Sequence, residues 1–179
     1  MSRRRRYACL IALTMLASSP LTAPLIARGA VPIASAMASH ALGVGRTQAV
    51  DGFAVKLRWV MEARQAGVAD YVPARGNIFL IVAVRIQRVG GHGSYYADPQ
   101  DFHVQTSRGD VIDSEPFGMT HELHARHVYT QPDDGVVGFE VPAGDRNLQV
   151  LWQPTFSANP DAQAAWSLGP VRQIVSNYL

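Results

Sequence analysis

Ile78 to Ile86 reads Ile-Phe-Leu-Ile-Val-Ala-Val-Arg-Ile, apolar on both faces until Arg85 and rich in β-branched side chains. A run of that kind is a strand covered on both sides. It is far shorter than the roughly 20 residues a membrane-spanning helix needs. Upstream, within 52–63, Phe53, Val55, Leu57, Trp59 and Met61 are apolar at every second position, and Lys56, Arg58 and Glu62 take the other face. Period two marks a half-buried antiparallel strand. A helix would place Lys56 and Arg58 beside the apolar set. These two segments predict a two-faced central strand beside a one-faced neighbour.

The rest of the chain follows the same pattern. Residues 65–77 form a connection holding Gly67, Asp70, Pro73 and Gly76, and residues 90–100 a glycine-rich loop. Phe102, Val104 and Thr106 alternate with His103 and Gln105; a Ser107-Arg108-Gly109-Asp110 turn and Val111-Ile112 complete a hairpin. Residues 114–126 read as an irregular polar loop. Val128 and Tyr129 begin a short strand, and Pro132-Asp133-Asp134-Gly135 is a turn. Val136 to Val141 is a strand closed by Pro142, and Ala143 to Arg146 a turn. Leu148, Val150 and Trp152 share one face of a further strand, with weaker segments at 166–168 and 171–175. The total is an all-β, antiparallel β-sandwich of about seven strands, without a good helix.

The N-terminus has a different character. Arg3 to Arg6, an apolar run from Tyr7 to Leu16 and Ala36-Met37-Ala38 before Ser39 follow the order of a secretory signal, predicting a signal peptide at 1–38. Its length, its paired arginines and Arg28 also suit twin-arginine export. The alternative is an uncleaved anchor from Tyr7 to Ala27, weakened by Pro20 and Pro24. Residues 39–51 read as a linker and 52–179 as the folded domain. The expected location is secreted or cell-envelope associated, with membrane contact only if the leader stays uncleaved. Cys9, the single cysteine, lies in the leader, so the exported part has no thiol or disulfide chemistry. Five of the 16 basic residues also lie there; the remaining 11 face 14 acids, giving −3, which argues against nucleic-acid binding.

One resemblance emerges from the strand order. It is carried by Gly76 to Val84, Asp98-Pro99-Gln100-Asp101-Phe102-His103-Val104, Gly109-Asp110 and Gly135-Val136-Val137-Gly138-Phe139-Glu140-Val141-Pro142. Together these resemble a bacterial family of telokin-like, immunoglobulin-like secreted domains of unknown function, to which a mycobacterial immunoprotective extracellular antigen is similar in fold. The resemblance covers about Gly52 to Trp152. It implies an immunoglobulin-like sandwich and carries over no catalytic residue. Two positions depart from the family: Arg85 to Gly90 lacks the Asn that closes the central strand, and Pro132 to Gly135 replaces a Pro-Gly. In that frame Phe102 is a core anchor, Gly109 supplies a positive φ, and Pro142 ends its strand.

Several constellations invite chemistry. His121, His124 and His127, with Glu122 between them, suggest zinc, and His103 or His92 would be further ligands. The three-residue spacing puts them on one face of neither helix nor strand, so only an irregular loop would gather them. Asp110, Asp113, Asp133 and Asp134 raise calcium, but no D-x-D-x-D-G loop exists. Ser107 and Ser114 stand in no nucleophile elbow. Trp59 and Trp152 fit the apolar faces of their strands, leaving Trp166 as the exposed tryptophan. Tyr95-Tyr96, on the glycine-rich loop, is the expected contact patch. These readings predict an exported, non-enzymatic domain without catalytic, cofactor or metal residues, binding a protein or cell-envelope partner through loops. The alternatives are a metal-binding envelope protein using His121, His124 and His127, or a purely structural surface protein.

Overall fold

A computed structural model describes residues 41–67, 71–90, 95–128, 131–155, 157, 159–170 and 173–178. The predicted signal peptide at 1–38, His92 and Tyr129 lie outside the described residues. In chain order the strands are β1 Leu42–Gly43, β2 Thr47–Val50, β3 Phe53–Ala63, β4 Asn77–Arg88, β5 Tyr95–Ala97, β6 Phe102–Gln105, β7 Val111–Asp113, β8 Arg126–Val128, β9 Asp133–Pro142, β10 Gln149–Trp152, β11 Ala164–Ser167 and β12 Gln173–Val175. Among the described residues the only helical piece is the 3-10 turn Pro99–Asp101.

The strands form an immunoglobulin-like β-sandwich. One sheet runs β1-β11-β10-β6-β7, and the other β12-β3-β4-β9 with β2 also on β3. β4 lies between β3 and β9, antiparallel to both, as its two-faced sequence requires. Leu80, Val82, Val84 and Ile86 face the space between the sheets and meet Phe102, Val104, Val150, Trp152 and Trp166. Phe79, Ile81 and Ala83 point outward into a second, smaller apolar cluster. Phe102 is completely buried, and Gly109 has φ 89°, as expected for an anchor and its turn.

β3 departs from simple alternation. Leu57 pairs with Val84 but Trp59 with Ala83, so Arg58 is an extra residue, a β-bulge. One inserted residue exchanges the two faces of a strand. Val55 and Leu57 face the inner core, while Trp59, Met61 and Ala63 join the outer cluster. Glu62, expected on a polar face, is buried instead.

Four further expectations are corrected. The segment read as a linker, 39–51, carries strands from Leu42 onward: β1 lies parallel to Trp166–Ser167, and β2 pairs with Phe53 to Lys56. The β2–β3 hairpin turns on Asp51 and Gly52, at φ 47° and 80°, the two positive values a two-residue hairpin uses. Tyr95-Tyr96 is not loop but β5, paired with β8. Pro132 to Gly135 is not a free turn, because β9 begins at Asp133, opposite Ile86. The Arg126 guanidinium pairs with the buried Asp133 carboxylate, which lets an acid enter the strand. The sandwich also holds two parallel pairings, β1–β11 and β12–β3, where only antiparallel ones were expected.

β9 would be an open sheet edge, but the segment after β7 covers it. Glu115 N–H donates to the Gly138 carbonyl at 3.0 Å, Leu123 N–H to Val136 at 2.8 Å, and Val136 N–H back to His121 at 2.9 Å. Covered edges resist strand addition by other chains. Gly138 permits the close approach, since a Cβ there would stand 2.5 Å from the Phe117 ring.

Candidate binding groove

The outer cluster on the β3-β4-β9 face is roofed by three pieces of chain. Phe117, from the edge-covering segment, packs on Phe79 with ring centroids 4.5 Å apart, and Tyr71 stands 6.0 Å from Phe117. The C-terminal segment is tied down by Gly67 N–H to the Tyr178 carbonyl at 2.8 Å and Tyr178 N–H to the Gln65 carbonyl at 3.1 Å. Gly67, at φ 74°, is required there, because a Cβ would collide with the Phe117 carbonyl. The roof stops at Trp59, which stays half-buried beside Tyr178, ring centroids 5.9 Å apart and tilted 55°. Beside them lies an open groove of about 270 Å³, lined also by Arg58, Ala83, His121, Asp134, Gly135 and Val136. The bulge is what delivers Arg58 and Trp59 to it.

The charges at the groove are unequal. Arg85 binds Asp134 with two nearly parallel hydrogen bonds, Nε to Oδ1 at 2.8 Å and Nη2 to Oδ2 at 2.6 Å. Those bonds hold the Asp134 carboxyl below the usual carboxylate range and raise the Arg85 guanidinium. Arg58 reaches the same carboxylate only at 3.5 Å and is half exposed. Lys56 stands directly across from Arg85 in register. Around Asp134 three cations thus stand against one carboxylate, and of the two arginines Arg58 is the less committed. Burial pushes the Tyr178 phenol up, so it keeps its proton at neutral pH. His121 holds a left-handed backbone, φ 61°, uncommon outside glycine and held by the Val136 bond to its carbonyl.

The structure disperses the three histidines of the alternative, metal-binding reading. His121 lines the groove just described. His124 lines a separate cavity of about 300 Å³ with Asp98, Pro99, Glu115 and Glu122. His127 sits on β8, its ring edge-on to Tyr96 at 5.1 Å. Among the described residues no three His, Cys, Asp or Glu side chains gather as a metal site. In the His124 cavity three polar groups are engaged: Glu122 accepts from Phe117 N–H at 2.8 Å, Asp98 from Gln100 N–H at 2.9 Å, and Ser114 donates to the Pro99 carbonyl at 2.6 Å.

His103 Nδ1 lies 2.9 Å from Asp113 Oδ1, beside Ser114 and Thr155. That pair resembles part of a hydrolytic triad, but Ser114 donates to Pro99 and the Thr155 hydroxyl to Asp101 at 2.5 Å. Ser107 donates to Asp145 at 3.0 Å. The aspartates considered for calcium are spread among the β6–β7 hairpin, Arg126 and the Arg85–Arg58 pair. The tryptophans exchange roles relative to the sequence reading. Trp166 is fully buried, its indole N–H donating to the Arg46 carbonyl at 3.0 Å, and Trp59 is the partly exposed one.

No family model matches the chain, and no curated protein does. Solved structures do. The protein ycdA of Bacillus subtilis, described as a lipoprotein, aligns at 15% identity and TM-score 0.58, over 69% of this chain and 38% of its own length. The yjhA protein of the same organism aligns at 16% identity and TM-score 0.56, over 71% of this chain and 98% of its own. MPT63, a secreted protein of Mycobacterium tuberculosis, aligns at 11% identity and TM-score 0.48, over 70% of this chain and 94% of its own. The first two likenesses show the fold; the third is too distant to argue from. The chain spans well under half of the first of these proteins.

Proposed function

We propose that this chain is an exported β-sandwich domain that binds a cell-envelope component, without catalysis, through the groove on the outer face of β3, β4 and β9. The observation that carries the reading is Trp59, an aromatic ring left only partly buried beside the loosely held Arg58. An aromatic with a wet edge flanked by charge is the composition of a recognition surface. Binding is favoured over turnover because the hydroxyls nearest the His103–Asp113 pair already donate elsewhere. Export is supported by the charged, apolar, small order of residues 1–38, and agrees with the lipoprotein description of ycdA.

Two measurements test the reading. N-terminal sequencing of the exported protein is expected to begin near Ser39; intact Arg3 to Arg6 in the membrane fraction would point to the anchor instead. Retention of the purified protein on washed cell envelopes is expected to fall at least several-fold for Trp59→Ala and for Arg58→Glu, with circular dichroism unchanged. Retention equal to the parent in both variants would remove the groove as the binding surface.

A further inference from the structure

Resting on that reading, we infer that the groove takes an acidic saccharide, a sugar ring bearing a carboxylate, with the ring face on Trp59 and the carboxylate on Arg58. Three features select this ligand class. The floor is aromatic, with Trp59 and Tyr178 offering apolar surface that still has a polar edge. A pyranose presents a matching face, with axial C–H groups toward the ring and hydroxyls around the rim. The groove is shallow and about 270 Å³, room for one or two sugar rings open to the continuing chain.

The charge balance selects the acid. Lys56, Arg58 and Arg85 outnumber Asp134, and both oxygens of Asp134 already accept from Arg85. A cationic ligand would face Arg58 and Lys56 and find the nearby carboxylate already held by Arg85. A neutral sugar would leave the surplus positive charge unanswered. A carboxylate meets Arg58 through charge-assisted hydrogen bonds, and giving up the 3.5 Å contact to Asp134 costs little. The rim adds His121, whose left-handed backbone fixes it on the edge-covering segment, and the Tyr178 phenol, which stays protonated and can donate to a sugar hydroxyl.

The test is calorimetric titration of the purified protein with trigalacturonate and with its methyl ester, which keeps the rings and removes the charge. Benzoate serves as a carboxylate on a flat ring that is not a sugar. The acid is expected to bind roughly ten-fold tighter than the ester, the lower end for a hydrogen bond to a charged group. Arg58→Gln is expected to erase that difference, and Trp59→Ala to abolish binding of both. If Trp59→Ala does not fold, Trp59→Phe, which keeps a smaller ring, is expected to weaken both several-fold. Equal affinity for acid and ester, an undiminished difference in Arg58→Gln, benzoate as tight as the saccharide, or no saccharide binding would each overturn the inference. If saccharide binding fails while envelope retention still depends on Trp59 and Arg58, the ligand class falls and the binding groove stands. If both fail, the groove itself is wrong.

Discussion

Asp101 is completely buried, and its two ends reach the chain leaving β10: Oδ1 accepts from the Thr155 amide at 2.9 Å, and its carbonyl accepts from Gln153 N–H at 2.8 Å. One acid therefore fixes the entry of β6 against the exit of β10. This explains the Asp next to Phe102 in the motif that carried the family resemblance, which the sequence marked without giving its reason. Asp101→Ala leaves the Thr155 amide without its acceptor and is expected to cost about 1–3 kcal/mol in urea denaturation, with Asp101→Asn costing less because an acceptor remains. Asp134 supplies a second prediction. Its folded pKa is lowered, chiefly by the Arg85 hydrogen bonds, so its contribution is present above the unfolded value of roughly 3.9 and is lost as pH falls through the folded value. The stability difference between the parent and Asp134→Asn is therefore expected to shrink on acidification from neutral pH to below pH 3 or so; a difference that grows would contradict the assignment.

Elements were legible in proportion to how local their cause is. β4 and the β6–β7 hairpin could be read because composition and turn residues within a few positions decide them. β5 and β8 are three residues each and are joined by pairing with each other across the chain, so of the two only Val128 was marked in the sequence. β2 had a usable signal, Asp51-Gly52, but it lies in a stretch whose composition suggests a linker. At Asp133-Asp134-Gly135 the local chemistry favours a turn, and tertiary pairing overrides it by giving each acid an arginine. The bulge in β3 was hidden because apolar residues occupy both faces after it, so strict alternation continued to look correct. The segment covering β9 depends on a missing side chain: Gly138→Ala pushes on the Phe117 ring and on Met119. It is expected to destabilise by about 1–3 kcal/mol and, by loosening the cover, to raise aggregation measured by light scattering. An alanine variant as stable and monodisperse as the parent would show that the cover is not tightly seated.

At the scale of the whole molecule, two sheets enclose one core and a second cluster lies outside it. Val82 is fully exposed to the inner core and not to water; Val82→Asp puts an unpaired charge there, a cost of several kcal/mol against a total stability of roughly 5–15, and is expected to unfold the domain. The groove could not be read in advance because Arg58, Trp59, His121, Asp134 and Tyr178 come together only when the outer face is assembled from distant parts of the chain. The sequence did contain Trp59 and Arg58, but alternation placed the first in the core and the second alone on a polar face. The claim that the bulge turns Trp59 outward has a direct measurement, since the chain holds three tryptophans and two of them, Trp152 and Trp166, are completely buried. Acrylamide quenching of the parent protein is expected to show one accessible tryptophan component, and Trp59→Phe is expected to remove it, leaving blue-shifted, protected emission. An accessible component that survives in Trp59→Phe and disappears in Trp166→Phe would contradict the account.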